Sequence, residues 1–336
     1  MSITAKELAR QLGLSESAIS LAINNKPGVS NATRKRVMEA AEKLGYDFSR
    51  RTAEPTVVPQ GTINFVIYKK HGAVVTDTPF FSELTVGIDL ACKKYHYYMN
   101  ILYIYDEEDI PSQITAWKRI GCVGIVLLGT EMQRTDLEPF LNCGIPTVLL
   151  DNYFEDCNID CILINNVAGA YTATNYLIRK RKTQPGYLHS AYSINNFEER
   201  ADGFYKAIRQ NGMSSSRSIV HKVTPSVDGA YSDMKELLQN SEPIADCYFA
   251  DNDLIAAGAV KAFREAGYRV PKDIAVVGFD NMPICTYFDP PLTTVHVPKQ
   301  YMSLMAVSRL HERIGSPDHQ PIKIEISTKL QKRESC

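Results

Sequence analysis

From Gly61 almost to its end, the chain alternates short apolar, β-rich runs with stretches of helical period, and this alternation restricts the possible fold more than any other feature. TINFVIY (62–68), YYMNILYIY (97–105), VGIVLL (123–128) and IPTVLLD (145–151) read as strands. Residues 79–96, 109–119 and 134–142 between them read as helices. The pattern then repeats, with helices over 166–180, 197–211, 228–239 and 254–266. The accompanying strands are PGYLHSA (185–191), SIVHKV (218–223), ADCYFAD (245–251) and IAVVGFD (274–280). TTVHV (293–297), a helix from Pro298 to Ile314 and IKIEIS (322–327) complete it. Strands and helices alternating at this spacing predict βαβ units and parallel sheets. Strands this short and apolar predict sheets covered on both faces. A run of about 270 residues is too long for one doubly wound sheet of ordinary size, so two similar lobes are expected.

Residues 1–46 follow a different rule. Thr4 is a good N-cap with Glu7 three residues on, a capping box for a first helix. Gly13 ends that helix, Ser15 caps a second, and Ser30 caps a third that stops at Gly45. The spacing of Ala9, Gly13 and Ile19 suits two steeply crossing helices. A small residue sits where they touch, a glycine takes the tight turn, and an apolar anchor lies on the second helix's inner face. That leaves Ser15, Glu16, Ser17, Ser20 and Leu21 facing outward, where a major groove could receive them. A carboxylate accepts from cytosine N4 and a hydroxyl suits several bases. Lys26, Ser30, Asn31, Thr33 and Arg34 are placed to hold phosphates, partly through the third helix's N-terminus. The rival reading is a small helical bundle that contacts protein. Residues 47–60 (DFSRRTAEPTVVPQ), with two prolines and no periodicity, read as a linker.

Charge supports a DNA-reading head. Residues 1–60 carry nine Lys or Arg against six Asp or Glu, although the whole chain sums to −1. A basic head on an acidic body suits a head that meets phosphates. No apolar run approaches the length of a membrane span, and the polar N-terminus is not a secretory signal, so a cytoplasmic protein is expected. The eight scattered cysteines form no paired framework and the seven histidines show no metal spacing, so neither metal nor cofactor is expected. No G-x-G-x-x-G, P-loop, G-x-S-x-G or H-E-x-x-H motif argues for an enzyme.

The stretch ITAKELARQLGLSESAISLAINNKPGVSNATRKRVMEAAEKLGY resembles the head of the lactose-repressor family (LacI/GalR). The family's pattern is matched by Thr4, Ala9, Gly13-Leu14-Ser15, Ile19-Ser20, Asn24, Val29-Ser30, Thr33-Arg34, Val37 and Leu44-Gly45-Tyr46. GFDN (278–281), PPLTTV (290–295) and RES (333–335) extend the resemblance along the chain. It implies an N-terminal all-α helix-turn-helix head on an α/β two-lobed, periplasmic-binding-protein-like body. It also implies a homodimer that binds a double-stranded DNA operator under the control of a small effector. In such a body the chain crosses between lobes three times, expected here near Cys161, Pro290 and Gln320. The first lobe would then hold 61–160 and 291–320, and the second 161–290 and 321–330. The resemblance places the effector, a carbohydrate or related polar metabolite, against Phe80, Phe81, Asp151, Asn152, Phe197, Arg200, Asn252, Asp280 and His296. It adds Thr4 and Asn24 to the DNA contacts. An alternative is control by a protein partner such as a phosphocarrier.

Three departures matter. Leu21 stands where the family usually has a polar residue, which suits a thymine methyl better than guanine. Pro55 falls about where a hinge helix would carry its minor-groove leucine, so a weaker wedge is expected, with Arg50 and Arg51 near phosphate. Val297 replaces the glutamine common in sugar-responsive members, next to His296.

Overall fold

A computed structural model describes residues 3–24, 26–48, 59–75 and 78–336. The chain divides into two compact units, Met1–Val58 and Pro59–Cys336. In the first, α1 (Ala5–Leu12), α2 (Glu16–Ile23) and α3 (Asn31–Lys43) begin at the expected caps. Thr4 and Glu7 form the reciprocal capping box, and Gly13 turns the chain at φ +64°, a conformation that costs glycine little. Leu8, Ala9, Ile19, Ala22, Ile23, Val37 and Ala41 close a small core. The linker residues Arg50, Arg51 and Pro55 lie outside the described residues.

The second unit starts with β1 (Thr62–Lys69), α4 (Pro79–Lys94), β2 (Tyr98–Tyr105), α5 (Ile110–Arg119) and β3 (Cys122–Leu128). It continues with a 3-10 turn running into α6 (Glu138–Leu141), then β4 (Thr147–Leu150) and β5 (Asp160–Ile164). The second lobe adds α7 (Asn166–Arg181), β6 (Gly186–Ser190), α8 (Asn195–Gln210), β7 (Val220–Val223) and α9 (Val227–Gln239). It continues with β8 (Cys247–Ala250), α10 (Asp253–Glu265), β9 (Ala275–Asp280), α11 (Ile284–Tyr287) and β10 (Thr293–His296). The chain then returns through α12 (Lys299–Gly315) and β11 (Lys323–Ile326) to the first lobe, and ends in β12 (Lys329–Gln331) of the second.

The strand orders are β11-β5-β4-β3-β1-β2 and β12-β10-β9-β8-β6-β7, one doubly wound pattern used twice. All pairings are parallel except that of β10 with β12. Helices α4 and α12 cover one face of the first sheet, and α5 with α6 cover the other. In the second sheet, α9 and α10 cover one face and α7 with α8 the other. A Cβ on Gly203 of α8 would fall inside the Val167 carbonyl of α7, so the glycine sets how closely these two helices pack.

The crossings differ from those expected. Cys161 lies within β5 of the first sheet, TTVHV belongs to the second sheet, and IKIEIS supplies β11 to the first. The chain therefore changes lobe near 165, near 298 and at 327–328 rather than at Cys161, Pro290 and Gln320. Short apolar strands do not announce which of two similar sheets they join, because the partners that decide it are distant in sequence. β2 also departs from the expected double burial. It is an edge strand, and Tyr98, Ile101, Tyr103 and Tyr105 are exposed.

Candidate functional site

The head presents the α2 surface expected from its spacing. Ser15 accepts from the Ala18 amide at 3.1 Å, so the helix starts with its hydroxyl in use. Ser15, Glu16, Ser17 and Ser20 are exposed, whereas Leu21 is half-buried and sits where a Cβ on Gly28 would meet it at 3.0 Å. Asn24 follows α2 and donates to the Ser20 hydroxyl at 3.3 Å. Ser30 caps α3 and shares a 2.8 Å hydrogen bond with the Thr33 hydroxyl. The Thr4 hydroxyl donates to the Glu7 carboxylate at 2.8 Å.

Arg34, expected near phosphate, also has a structural task. Its guanidinium donates to the carbonyls of Leu21 (3.1 Å), Ala22 (3.2 Å) and Lys26 (2.8 Å), closing the C-terminal end of α2. Helix ends leave carbonyls without intrahelical partners, and an arginine on the neighbouring helix supplies them. Arg36 does the same for the Leu12 carbonyl at 2.8 Å. Both guanidiniums thereby brace the helix ends while keeping their charge and further N–H donors.

In the second unit, the carboxyl ends of the strands face each other across the lobes, where doubly wound sheets take ligands. A narrow cleft lies there. Of the nine residues expected in it, seven line it: Phe80, Phe81, Asp151, Phe197, Arg200, Asn252 and Asp280. Pro79 starts α4 and delivers Phe80 and Phe81, whose rings meet edge to face at 5.1 Å. Asp151 ends β4 at φ +66° and accepts from the Thr130 hydroxyl at 2.7 Å. Arg200 of α8 donates to Asn166 Oδ1 at 2.9 Å, to the Asp251 carbonyl, and to Asp280 Oδ1 at 3.3 Å. Its guanidinium lies 3.8 Å from the centre of the Phe279 ring, so a flat apolar wall and three acceptors fix its plane. Asn252 caps α10 through Oδ1.

Two expected residues do other work. Asn152 donates to the carbonyls of Gly129 (2.7 Å) and Met132 (3.0 Å), while its oxygen accepts from Tyr153 and Asn195. A side-chain amide satisfied on all sides knits β3, β4 and the second lobe together, and it does not line the cavity. His296 is bonded to Asn281 at 3.1 Å and also lies outside the cavity lining. Burial and nearby Lys299 hold its ring below the ordinary histidine range.

The walls are acidic and come from opposite lobes. Burial pushes the Asp151 carboxyl up to about 6 against the pull of Thr130 and Arg200, and Asp280 adds to the rise. Burial also raises Asp280, opposed by Arg200 and Lys299. The Lys299 ammonium, almost wholly buried, donates to the Asp280 carbonyl at 2.8 Å and lies 3.4 Å from Glu83. Sequence reasoning missed Lys299, Thr130 and Asn196. The last lines the cavity and donates across the lobes to the Asp151 carbonyl at 3.2 Å. The signal for Thr130 was available, since it follows a strand on the same side as Asp151. That for Lys299 was not, because a lysine opening an amphipathic helix reads as solvated. Among the described residues no group of His, Cys, Asp or Glu is arranged to hold a metal ion, all eight cysteines are thiols, and no helix is long and apolar enough to cross a membrane.

Comparison with known proteins agrees with both units. Residues 4–48 match the model of bacterial regulatory proteins of the lacI family, and residues 174–336 match the periplasmic binding protein-like domain. The chain is 29% identical over 341 residues to the transcriptional repressor PurR of Aliivibrio salmonicida, covering 99% of this chain and 98% of that one. It is 32% identical over 305 residues to the transcriptional regulator GalS of Salmonella typhimurium, covering 90% of this chain and 88% of GalS. A solved complex of the regulator CelR with cellobiose superposes with a TM-score of 0.73 at 24% identity, over 99% of this chain and 100% of that one. The lac repressor dimer bound to operator and an anti-inducer does so at 0.71 and 19% identity, over 100% and 99%. With a whole-length relative at this identity and both units matched, the chain belongs to the lacI family of bacterial regulatory proteins, which are DNA-binding regulators of transcription rather than enzymes.

Proposed function

We propose that this regulator is a cytoplasmic homodimeric repressor whose operator affinity is set by a small, hydroxyl-rich metabolite of the carbohydrate class held between the lobes. The observation that carries the reading is convergence. Asp151 from the first lobe and Arg200, Asn252 and Asp280 from the second meet on one cavity, with Phe80, Phe81 and Phe197 as its apolar walls. Carboxylates and an amide accept from and donate to hydroxyls, and aromatic rings cover the C–H faces between them. In the head, Ser15, Glu16, Ser17, Ser20 and Leu21 would meet base edges, while Thr4, Asn24, Ser30 and Thr33 would position the backbone.

The mechanism is linkage. Asn195 and Asn196 already bind across the lobes, and the His71 and Tyr192 rings meet at 5.0 Å, so a ligand between the walls favours a closed arrangement. Closure in two subunits resets the spacing of their heads against half-sites about one helical turn (~34 Å) apart or a multiple of it. The coupling cannot exceed the effector's differential affinity for the two arrangements. The exposed β2 edge, with Val86 and Leu90 of α4 beside it, supports a dimer, because an apolar edge strand invites pairing. The test is fluorescence anisotropy of genomic fragments retained by the full chain, repeated with a panel of neutral sugars. The reading predicts that one sugar shifts the DNA affinity and that Arg200→Ala abolishes the shift without abolishing DNA binding. Equal DNA affinity with every sugar, alongside tight binding of an unrelated metabolite in the cleft, would replace the carbohydrate assignment.

A further inference from the structure

The loop after β1 has a feature that the cleft reading does not use. Glu131 follows Thr130 at the end of β3 and is 3% exposed. Its carboxylate accepts five backbone N–H groups from one loop. Oε2 takes those of Lys70 (2.9 Å), His71 (3.2 Å) and Gly72 (2.9 Å), and Oε1 those of Val74 and Val75 (both 2.8 Å). Converging amides of this kind make an anion-binding nest, of the sort that elsewhere receives a phosphate. Here the chain fills the nest with its own carboxylate. Burial would raise Glu131, but the amides of Val75, Val74 and Gly72 outweigh it and hold the carboxyl below the ordinary range, so it is the anion that occupies the site. The loop is part of the cleft: Val74 lines the cavity, and His71 reaches Tyr192 of the other lobe.

The cations around the cavity are committed too. Arg200 is engaged by Asn166, Asp251 and Asp280. Lys299 is engaged by the Asp280 carbonyl and Glu83. Lys70, at the start of the same loop, pairs with Asp136 at 2.9 Å and Asp106 at 3.6 Å. Against them stand Asp151 and Asp280 on opposite walls. An anion entering this space would meet two buried carboxylates and a nest already full, and a buried charge without compensation is strongly unfavourable.

Building on the cleft reading, we infer that the effector is uncharged, an unphosphorylated and uncarboxylated polyol, and that Glu131 enforces this by occupying a phosphate-ready nest in the loop that borders the cleft. Glu131 is thus a specificity-determining residue that need not touch the effector. It shapes the rim and denies it to anions.

Two arms test this. In the first, calorimetry on the full wild-type chain compares matched pairs: ribose with ribose 5-phosphate, glucose with glucose 6-phosphate, and fructose with fructose 1-phosphate. The neutral member of any pair that binds should do so at least about 100-fold more tightly than its phosphate, as expected for an uncompensated buried charge. A phosphorylated sugar that binds as tightly as its neutral partner overturns the inference. The second arm needs no effector. Glu131→Ala empties the nest, so inorganic phosphate should raise its melting temperature and slow amide exchange at residues 70–75, while leaving the wild type unmoved. If the alanine variant does not fold, Glu131→Ser opens the same nest and the same readout decides. An emptied nest indifferent to phosphate overturns the inference. Failure of the cleft reading itself looks different. No sugar of either kind would then bind, yet the phosphate response of the emptied nest would persist.

Discussion

At the residue scale, Asp151 is the group whose chemistry the fold alters most usefully. Its carboxyl sits at about 6 in the folded chain against 3.8 for an ordinary aspartate, because burial penalises the charge and Asp280 faces it. A raised carboxyl means that the folded state holds the proton more tightly than the unfolded one. The resulting stability is fully present below pH 3.8 and is lost as pH rises through about 6. Asp151→Asn should therefore flatten the dependence of melting temperature on pH across that window, and calorimetric scans from acid to neutral pH would measure it. An unchanged slope would mean that the Asp151 charge is compensated in the fold. Arg200 makes the complementary case. Arg200→Lys keeps the charge but loses the fork that meets Asn166, the Asp251 carbonyl and Asp280 together, so effector affinity should drop at least tenfold, about 1.4 kcal/mol, by calorimetry.

At the scale of elements, a buried ion network lies under α12. Asp160 opens β5 and accepts from Arg309 at 2.7 Å and from the Ile322 amide at 2.9 Å, with Arg313 at 3.1 Å. It ties the returning helix α12 and the segment before β11 to the first sheet. Asp160→Ala leaves two arginines facing a vacancy and should cost about 3–5 kcal/mol in urea unfolding, the range for breaking a buried pair. A loss below 1 kcal/mol would show that water replaces the carboxylate. In the head, Ser15→Ala removes the α2 cap and should cost about 1 kcal/mol by thermal unfolding of the head.

These elements also show what the sequence made legible. The caps at Thr4, Ser15 and Ser30 and the turn at Gly13 follow from local chemistry, because side chain and backbone partner lie within four residues, and nearly every strand follows from its own apolar run. The seven residues that line the cavity were named through the family resemblance, which places them at the strand ends where such sheets take ligands. What escaped was non-local. The sheet that β10 and β11 join, the clamp Arg34 makes on α2 and the filling of the loop 70–75 nest by Glu131 each depend on partners from 8 to 162 residues away. Polar residues in such pairings look no different in the sequence from solvated ones.

At the scale of the whole molecule, the proposed linkage between operator and effector is purely energetic. DNA binding should weaken linearly in log–log form with salt, with a slope of about −0.9 per phosphate neutralised, whereas binding of an uncharged effector should scarcely respond to salt. The proposed dimer should part when its edge is charged. Tyr98→Asp with Leu90→Asp should shift sedimentation to the monomer and lose operator affinity while the cleft still binds its ligand. Control of the operator through the cleft is decided by operator affinity measured with and without the sugar that binds best, in the wild type and in Asp280→Asn. A sugar-dependent change is expected in the wild type, and in the variant the same DNA affinity with no response to sugar. A sugar response that survives in Asp280→Asn would place the controlling site elsewhere and contradict control through the cleft.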